Sequence, residues 1–282
     1  MKLDKRADIT LRGRESGTTM RSGYWQDLTT ADFAALDAER TVALLPVAAV
    51  EQHGPHLPLA TDALINQALV ERVLGRLPPE ARVLVLPAQN VGTSDEHGHF
   101  AGTLSIDARV LEDAWIAIGA SVARAGVRKL VILNTHGGQK TVVDRTALAL
   151  RARHGMLVVR ASYFAFGCPP GLFELQELKE GLHGGEVETS LLLHIRPDLV
   201  RRERLADFAG LPRRLAERNR WLGVEKPIGI GWLSEDLHPL GVSGNAARAD
   251  AERGRRYLDY LVDCLAELLA ETAATPLDTL RG

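Results

Sequence analysis

Val42-Ala43-Leu44-Leu45-Pro46-Val47 is followed closely by Glu51-Gln52-His53-Gly54-Pro55-His56-Leu57-Pro58-Leu59-Ala60-Thr61-Asp62. The apolar run reads as a strand. The stretch after it packs two carboxylates and two imidazoles into twelve residues, which is what a metal site needs. If the chain stays extended past the strand, Glu51 and His53 point the same way, because side chains alternate with period two. A hard oxygen and a borderline nitrogen then face one cavity. The Gly-Pro turn lets Asp62 return as a third ligand, and its two oxygens suit it to bridge two ions. The plain alternative is a polar loop capping a strand, but such loops rarely gather ligand-type residues so densely.

Outward from this segment, strand-like runs alternate with helix-like stretches, the pattern of a sheet with helices on its faces. Strands are expected at Val42 to Val47, Arg82 to Pro87, Leu130 to Asn134 and Leu157 to Ala161. Asp107 to Ala125 reads as a crossover helix, with Asp107 as N-cap and Gly126 ending it. Ala247 to Thr272 places Tyr257, Leu258, Leu261 and Leu265 on one face, to pack on the sheet or on a neighbouring subunit. Residues 1 to 22 are polar and are expected to be mobile; residues 203 to 245 mix charge, Gly and Pro and read as irregular surface loops. Residues 23 to 282 form one α/β domain.

At 282 residues a sizeable core is available. The charges nearly cancel, 34 Lys plus Arg against 36 Asp plus Glu, and no basic stripe appears, so nucleic acid is not an expected partner and a small molecule is. Cys168 and Cys264 are far apart, without metal-type spacing or a disulfide framework, which fits a reducing cytoplasm. The polar start lacks the apolar stretch of a signal peptide and no run reaches membrane length, so a soluble protein is expected.

Two further clusters repeat the theme. Asn134-Thr135-His136-Gly137-Gly138-Gln139 ends a strand, where open α/β sheets bind ligands. Gly137 and Gly138 either make room for a substrate beside His136 or allow an unusual turn. Leu182-His183-Gly184-Gly185-Glu186-Val187-Glu188-Thr189-Ser190 again sets a His beside Gly-Gly, with carboxylates close behind. At a helix start, Glu186 and Glu188 could equally be capping groups in the field of the N-terminus.

These clusters in this order, with Gly102-Thr103-Leu104-Ser105 between them, resemble the creatininase (creatinine amidohydrolase) family over the stretch running from Trp25 to Val200. The resemblance implies a three-layer α/β/α fold around a mostly parallel sheet. It also implies a centre of two divalent metal ions (Zn, Mn or Fe), hydrolysis of a cyclic amide or other C–N bond, and a homohexamer. By the same resemblance Glu51 and His136 match ligands of one metal, His53 a ligand of the other, Asp62 the bridge, and His183 a catalytic histidine near the substrate.

Two departures concern the substrate side. Creatininase has a Glu where this chain has Gly138, and it closes its pocket with two tryptophans, one matching Phe164 and the other falling near Lys179. Neither Trp is present, so creatinine is not the expected substrate; the wider family includes deformylases and hydrolases of other ring-derived compounds. Creatininase also carries Val at the position of Glu186. Glu186 is therefore expected to replace the missing metal ligand while Glu188 orients a neighbour, the opposite assignment being the alternative.

Two adjacent cations lower the pKa of a bridging water to about 7 and polarise the carbonyl under attack, so a metal-bridging hydroxide is the expected nucleophile. His183 is expected to protonate the departing nitrogen, with Glu188 orienting it. His97, His99, Gly137, Gly138 and Phe164 are expected to line the substrate pocket, whereas His154 and His194 read as structural and His56 as ambiguous. Hydrolysis of a formamide, lactone or cyclic ketone on the same site is the first alternative. A non-catalytic metal-binding assembly protein is the second, disfavoured because all four core ligands are intact. A phosphate-binding module is the weakest, since His136-Gly137-Gly138-Gln139-Lys140-Thr141 only faintly resembles a phosphate loop.

Overall fold

The structure, a computed structural model, describes residues 22–280; the stretch expected to be mobile lies outside them except for Ser22. The chain runs β1 (Gly23–Tyr24), α1 (Thr30–Ala34), β2 (Thr41–Val47), α2 (Thr61–Val73), β3 (Arg82–Val85), α3 (Ala108–Arg124), β4 (Lys129–Asn134), α4 (Lys140–His154) and β5 (Leu157–Ser162). Then follow α5 (Leu175–Glu180), α6 (Glu186–Ile195), β6 (Asp207–Phe208), α7 (Leu211–Arg218), α8 (Ser234–Leu237), β7 (Gly244–Asn245) and α9 (Ala251–Ala274). The first five strands form one parallel sheet in the order β1-β3-β2-β4-β5.

Alternation across the strands sorts the core into two layers. Val42 and Leu44 of β2 and Val131 and Leu133 of β4 pack with Ile65 and Leu69 of α2, Leu191 of α6 and Leu258, Leu261 and Leu265 of α9. Ala43, Leu45 and Val47, with Leu130 and Ile132, face Leu111 and Trp115 of α3 and Leu150 of α4. Both faces of the sheet are thus covered, which is why its central strands read as unbroken apolar runs, and the fold is a three-layer α/β/α single domain. Pro46 is tolerated in a central strand because its carbonyl, and hence its missing N–H, faces the side on which β3 has already ended at Val85; Gln89 N–H donates to that carbonyl (2.9 Å).

The expected strands and crossover helix match these elements within a residue or two, and Asp107 caps α3 by accepting from Arg109 and Val110 N–H. Residues 203–245 need correction. They hold α7, α8 and a small antiparallel pair, β6 with β7. One of the prolines in this stretch, Pro212, sits in the first turn of α7, where a missing N–H costs nothing. The last helix starts at Ala251, not Ala247, because Asp250 caps it by accepting from Arg253 N–H (2.8 Å).

Candidate metal centre

In register, Val47, Asn134 and Ser162 end β2, β4 and β5 at one edge of the sheet, and the loops leaving that edge carry the site. The β2 ladder stops at Val47, and a lone bridge between Val50 and Leu104 holds the next segment. Glu51 and His53 turn to the same cluster, as the period-two argument expects. Asp62 lies in the first turn of α2, at its positive end. Asn66, one turn on, donates to the carbonyls of Val47 (3.0 Å) and Leu133 (3.1 Å), so α2 is pinned to both central strands. His136 follows β4 in a turn where Asn134 Oδ1 accepts from His136 N–H (3.0 Å).

The buried atoms converge. His136 Nδ1 lies 3.2 Å from Glu51 Oε1 and 3.3 Å from Asp62 Oδ2, while the other Asp62 oxygen lies 3.3 Å from His53 Nε2. Asp62 therefore offers one oxygen to each histidine, the geometry of a bridge. Among the described residues three groups have ligand atoms within 4.8 Å of one another: Glu51 with Asp62 and His136, His53 with His183 and Glu188, and Glu51 with His97 and His183. Tautomers support this. His136 Nε2–H donates to Thr93 O (2.8 Å) and His53 Nδ1–H to Glu51 O (3.1 Å), so in the neutral rings the lone pairs on His136 Nδ1 and His53 Nε2 face the cluster.

The donor set fits divalent cations on an observation internal to the fold: Glu51 Oε2, His53 Nε2 and Asp62 Oδ2 are buried and make no hydrogen bond. His53 Nε2 and Asp62 Oδ2 have only longer ionic contacts of 3.3 Å, and burying such atoms without a hydrogen bond is costly unless a cation satisfies them. Electrostatics agree. Burial works against charge on Glu51, yet His136, His97 and His183 hold its carboxyl well below the usual carboxylate range. Burial also opposes charge on His53, but Asp62 and Glu188 raise it to about 9, and Glu51 with Asp62 raises His136 well above its ordinary value. A cation bound here would compete with protons on these histidines.

Glu186 is not where the sequence suggested. Its carboxylate is ion-paired with Arg253 and lies 3.9 Å from Arg248 Nε, and it joins none of the metal-type groups among the described residues. Glu188 takes that side instead, 4.0 Å from His53 Nε2, accepting from Gly184 N–H (2.7 Å) and from Tyr163 O–H (3.4 Å). Burial pushes its carboxyl up to about 7, against the pull of His53. His183 donates from Nε2 to Gln52 O (2.6 Å) and its ring lies 4.1 Å from that of His53.

Of the expected pocket residues, His97 is buried beside Glu51 (3.4 Å), whereas the His99 side chain is 73% exposed and pairs with Glu235 outside the cluster. Gly137 and Gly138 are exposed. Phe164 packs on Tyr163 at 4.4 Å with the Lys140 ammonium 5.2 Å from its ring centre. His56 is structural: it donates to Gly184 O (2.9 Å) and so ties the first motif to the third. Sequence reasoning missed Gln52, Glu96 and Tyr163. Glu96 Oε1 stands 3.6 Å from His136 Nε2, and its one signal was its place beside His97.

A family model described as creatininase, creatinine amidohydrolase, matches residues 26–269. The chain belongs to the creatininase family. It is 34% identical over 245 residues to the mycofactocin precursor peptide peptidase of Mycobacterium tuberculosis, covering 84% of this chain and 88% of that one. It is also 34% identical over 272 residues to the creatinine amidohydrolase of Pseudomonas putida, covering 89% and 97%. Solved creatininases share the fold: a manganese form and a Zn–Zn form of a point mutant align with TM-scores of 0.72 and 0.73, each 28% identical and covering 90% of this chain and 100% of the other. This creatininase-family hydrolase thus shares equal identity with a peptide peptidase and with a creatinine amidohydrolase. No helix among its described residues is long and apolar enough to cross a membrane.

Proposed function

We propose that this protein is a two-metal amidohydrolase. Glu51, Asp62 and His136 would hold one divalent ion and His53, with Asp62 at 3.3 Å and Glu188 at 4.0 Å, the other, manganese or zinc being the ions of the solved relatives. The observation that carries this reading is the trio of buried, unbonded atoms Glu51 Oε2, His53 Nε2 and Asp62 Oδ2. Such a pair of ions would make water a nucleophile near neutral pH and would polarise the carbonyl under attack. His183 presents an Nδ1 lone pair to the same space, since its Nε2–H is committed to Gln52 O. It can take a proton there and return it to the departing nitrogen, leaving an amine and a carboxylate.

The substrate we propose is a small molecule with a hydrolysable C–N bond, a cyclic amide or a formamide. Creatinine itself is disfavoured, because neither of creatininase's two pocket tryptophans is present: Phe164 stands at one position and the other falls near Lys179. A second reading, a short peptide amide, is favoured by the peptidase relatives. Zinc- or manganese-loaded protein offered cyclic amides, formamides, lactones and short peptides separates these readings. Efficient creatinine turnover would refute the argument from the missing tryptophans, and turnover of lactones alone would refute the amide.

We further propose a homohexamer in the cytoplasm, with Cys168 and Cys264 unpaired. Trp221, Leu222, Ile228, Ile230, Leu233 and Leu240 are exposed in one stretch of chain, apolar surface that a neighbouring subunit would cover. Mass photometry decides the subunit number.

A further inference from the structure

Gln52 lies between the two metal-ligand candidates Glu51 and His53, and its side-chain amide cannot be flipped. Its Oε1 accepts from Gly54 N–H (3.0 Å) and its Nε2 donates to Gly241 O (2.6 Å); a backbone N–H only donates and a carbonyl only accepts. The second hydrogen on Nε2 points to His97 Nδ1, 2.8 Å away. That nitrogen must carry a lone pair, so the proton of the neutral ring sits on Nε2, 3.4 Å from Glu51 Oε1. Glycine is required at 241, where φ is +72° and a β-carbon would meet Gln52 Nε2 and Oε1 at 2.7 Å.

The backbone of Gln52 fixes a second ring. Its carbonyl accepts from His183 Nε2–H, so His183 turns a bare Nδ1 to the cluster, and the rings of His97 and His183 pack with centres 4.3 Å apart and planes tilted by 33°. One residue thus sets two packed histidines in opposite senses: His183 as a lone pair, His97 as an N–H. By distance alone Glu51, His97 and His183 could hold an ion. The tautomer argues against it, because neither nitrogen of His97 has a lone pair to spare.

We propose that His97 is a catalytic residue acting as a fixed, neutral N–H donor to the oxygen that gains charge when the scissile carbonyl is attacked, and that Gln52 is its positioning residue. His97 transfers no proton in this role. Protonating Nδ1 would set N–H against N–H at Gln52, so the ring is held as a donor throughout the cycle, while His183 does the proton transfer. Preorganised donors of this kind act without reorganising as charge develops. The inference rests on the amidohydrolase reading above.

Nitrogen-15 NMR of the histidine rings, with and without zinc, tests the tautomer independently of any substrate. The expected spectrum has His97 protonated at Nε2 in both forms. In Gln52→Glu, a carboxylate facing Nδ1 should draw a proton there and shift the His97 signals. A wild-type His97 protonated at Nδ1, or bare at Nε2 in the zinc form, overturns the proposal. His97→Phe should keep its full complement of zinc yet bind acetohydroxamate, a probe with a charged oxygen, roughly ten- to a hundredfold more weakly, and His97→Asn should recover part of that loss. Loss of zinc in His97→Phe, or unchanged acetohydroxamate binding, contradicts the donor role. Failure of the wild type to bind zinc contradicts the metal reading instead and leaves the metal-free spectrum to decide the tautomer.

Discussion

Glu186 and Glu188, two residues apart in the first turn of α6, send their carboxylates to opposite sides: Glu188 toward His53 and Glu186 to Arg253. Two helical steps turn the side chain by about 200°, so only one of the pair can face the metal cluster. Glu188→Gln is therefore expected to reduce the metal content from about two ions per chain to about one by elemental analysis. Glu186→Gln should keep both ions and lower stability by on the order of 2 kcal/mol, by stranding Arg253. An ion lost in Glu186→Gln, with both kept in Glu188→Gln, would reverse the assignment.

The space left by Gly138 is filled by Glu96. A β-carbon at 138 would collide with Glu96 Oε1 and come within 2.7 Å of His136 Nε2, whereas one at 137 would meet nothing within 4 Å. Gly138→Ala should therefore displace Glu96 and the His136 ring and weaken metal binding by about tenfold or more. Gly137→Ala should bind metal as the wild type does. Titration of both variants with zinc checks the contrast; equal affinities would show that the Glu96 position has no bearing on the centre.

Metal uptake should be coupled to protons with a definite sign. In the metal-free protein His53, raised to about 9, is an imidazolium below that pH and must lose its proton to offer Nε2. Binding therefore releases protons at neutral pH, affinity rises with pH up to about 9, and the dependence steepens below about 7, where Glu188 also holds a proton. Calorimetry in buffers of differing ionisation heat should show release of one or more protons at pH about 7.5. Uptake without release would mean that the His53–Asp62 pairing does not hold.

The layered fold was legible because its central strands are buried on both faces and so appear as bare apolar runs, Val42 to Val47 above all. The short helix α7 was not, since Pro212 serves as a helix start there rather than a breaker. The site was legible as a set of residue types: Glu51, His53, Asp62 and His136 are all turned to one cluster. Its orientation was not. Whether Glu186 or Glu188 faces inward depends on where the first turn of α6 begins, and the tautomers of His97 and His183 depend on contacts across 45 and 131 residues of chain. Glu96 was passed over because a lone carboxylate in a loop carries no period or spacing of its own.

The central claim is that two ions share Asp62. Anomalous diffraction at the metal edge from crystals of the zinc-loaded protein tests it most directly. The account predicts two peaks, one bounded by Glu51, Asp62 and His136 and the other by His53, Asp62 and Glu188, with ligand atoms about 2.0–2.2 Å from each ion. A single peak, or two peaks with Asp62 touching only one, would contradict it.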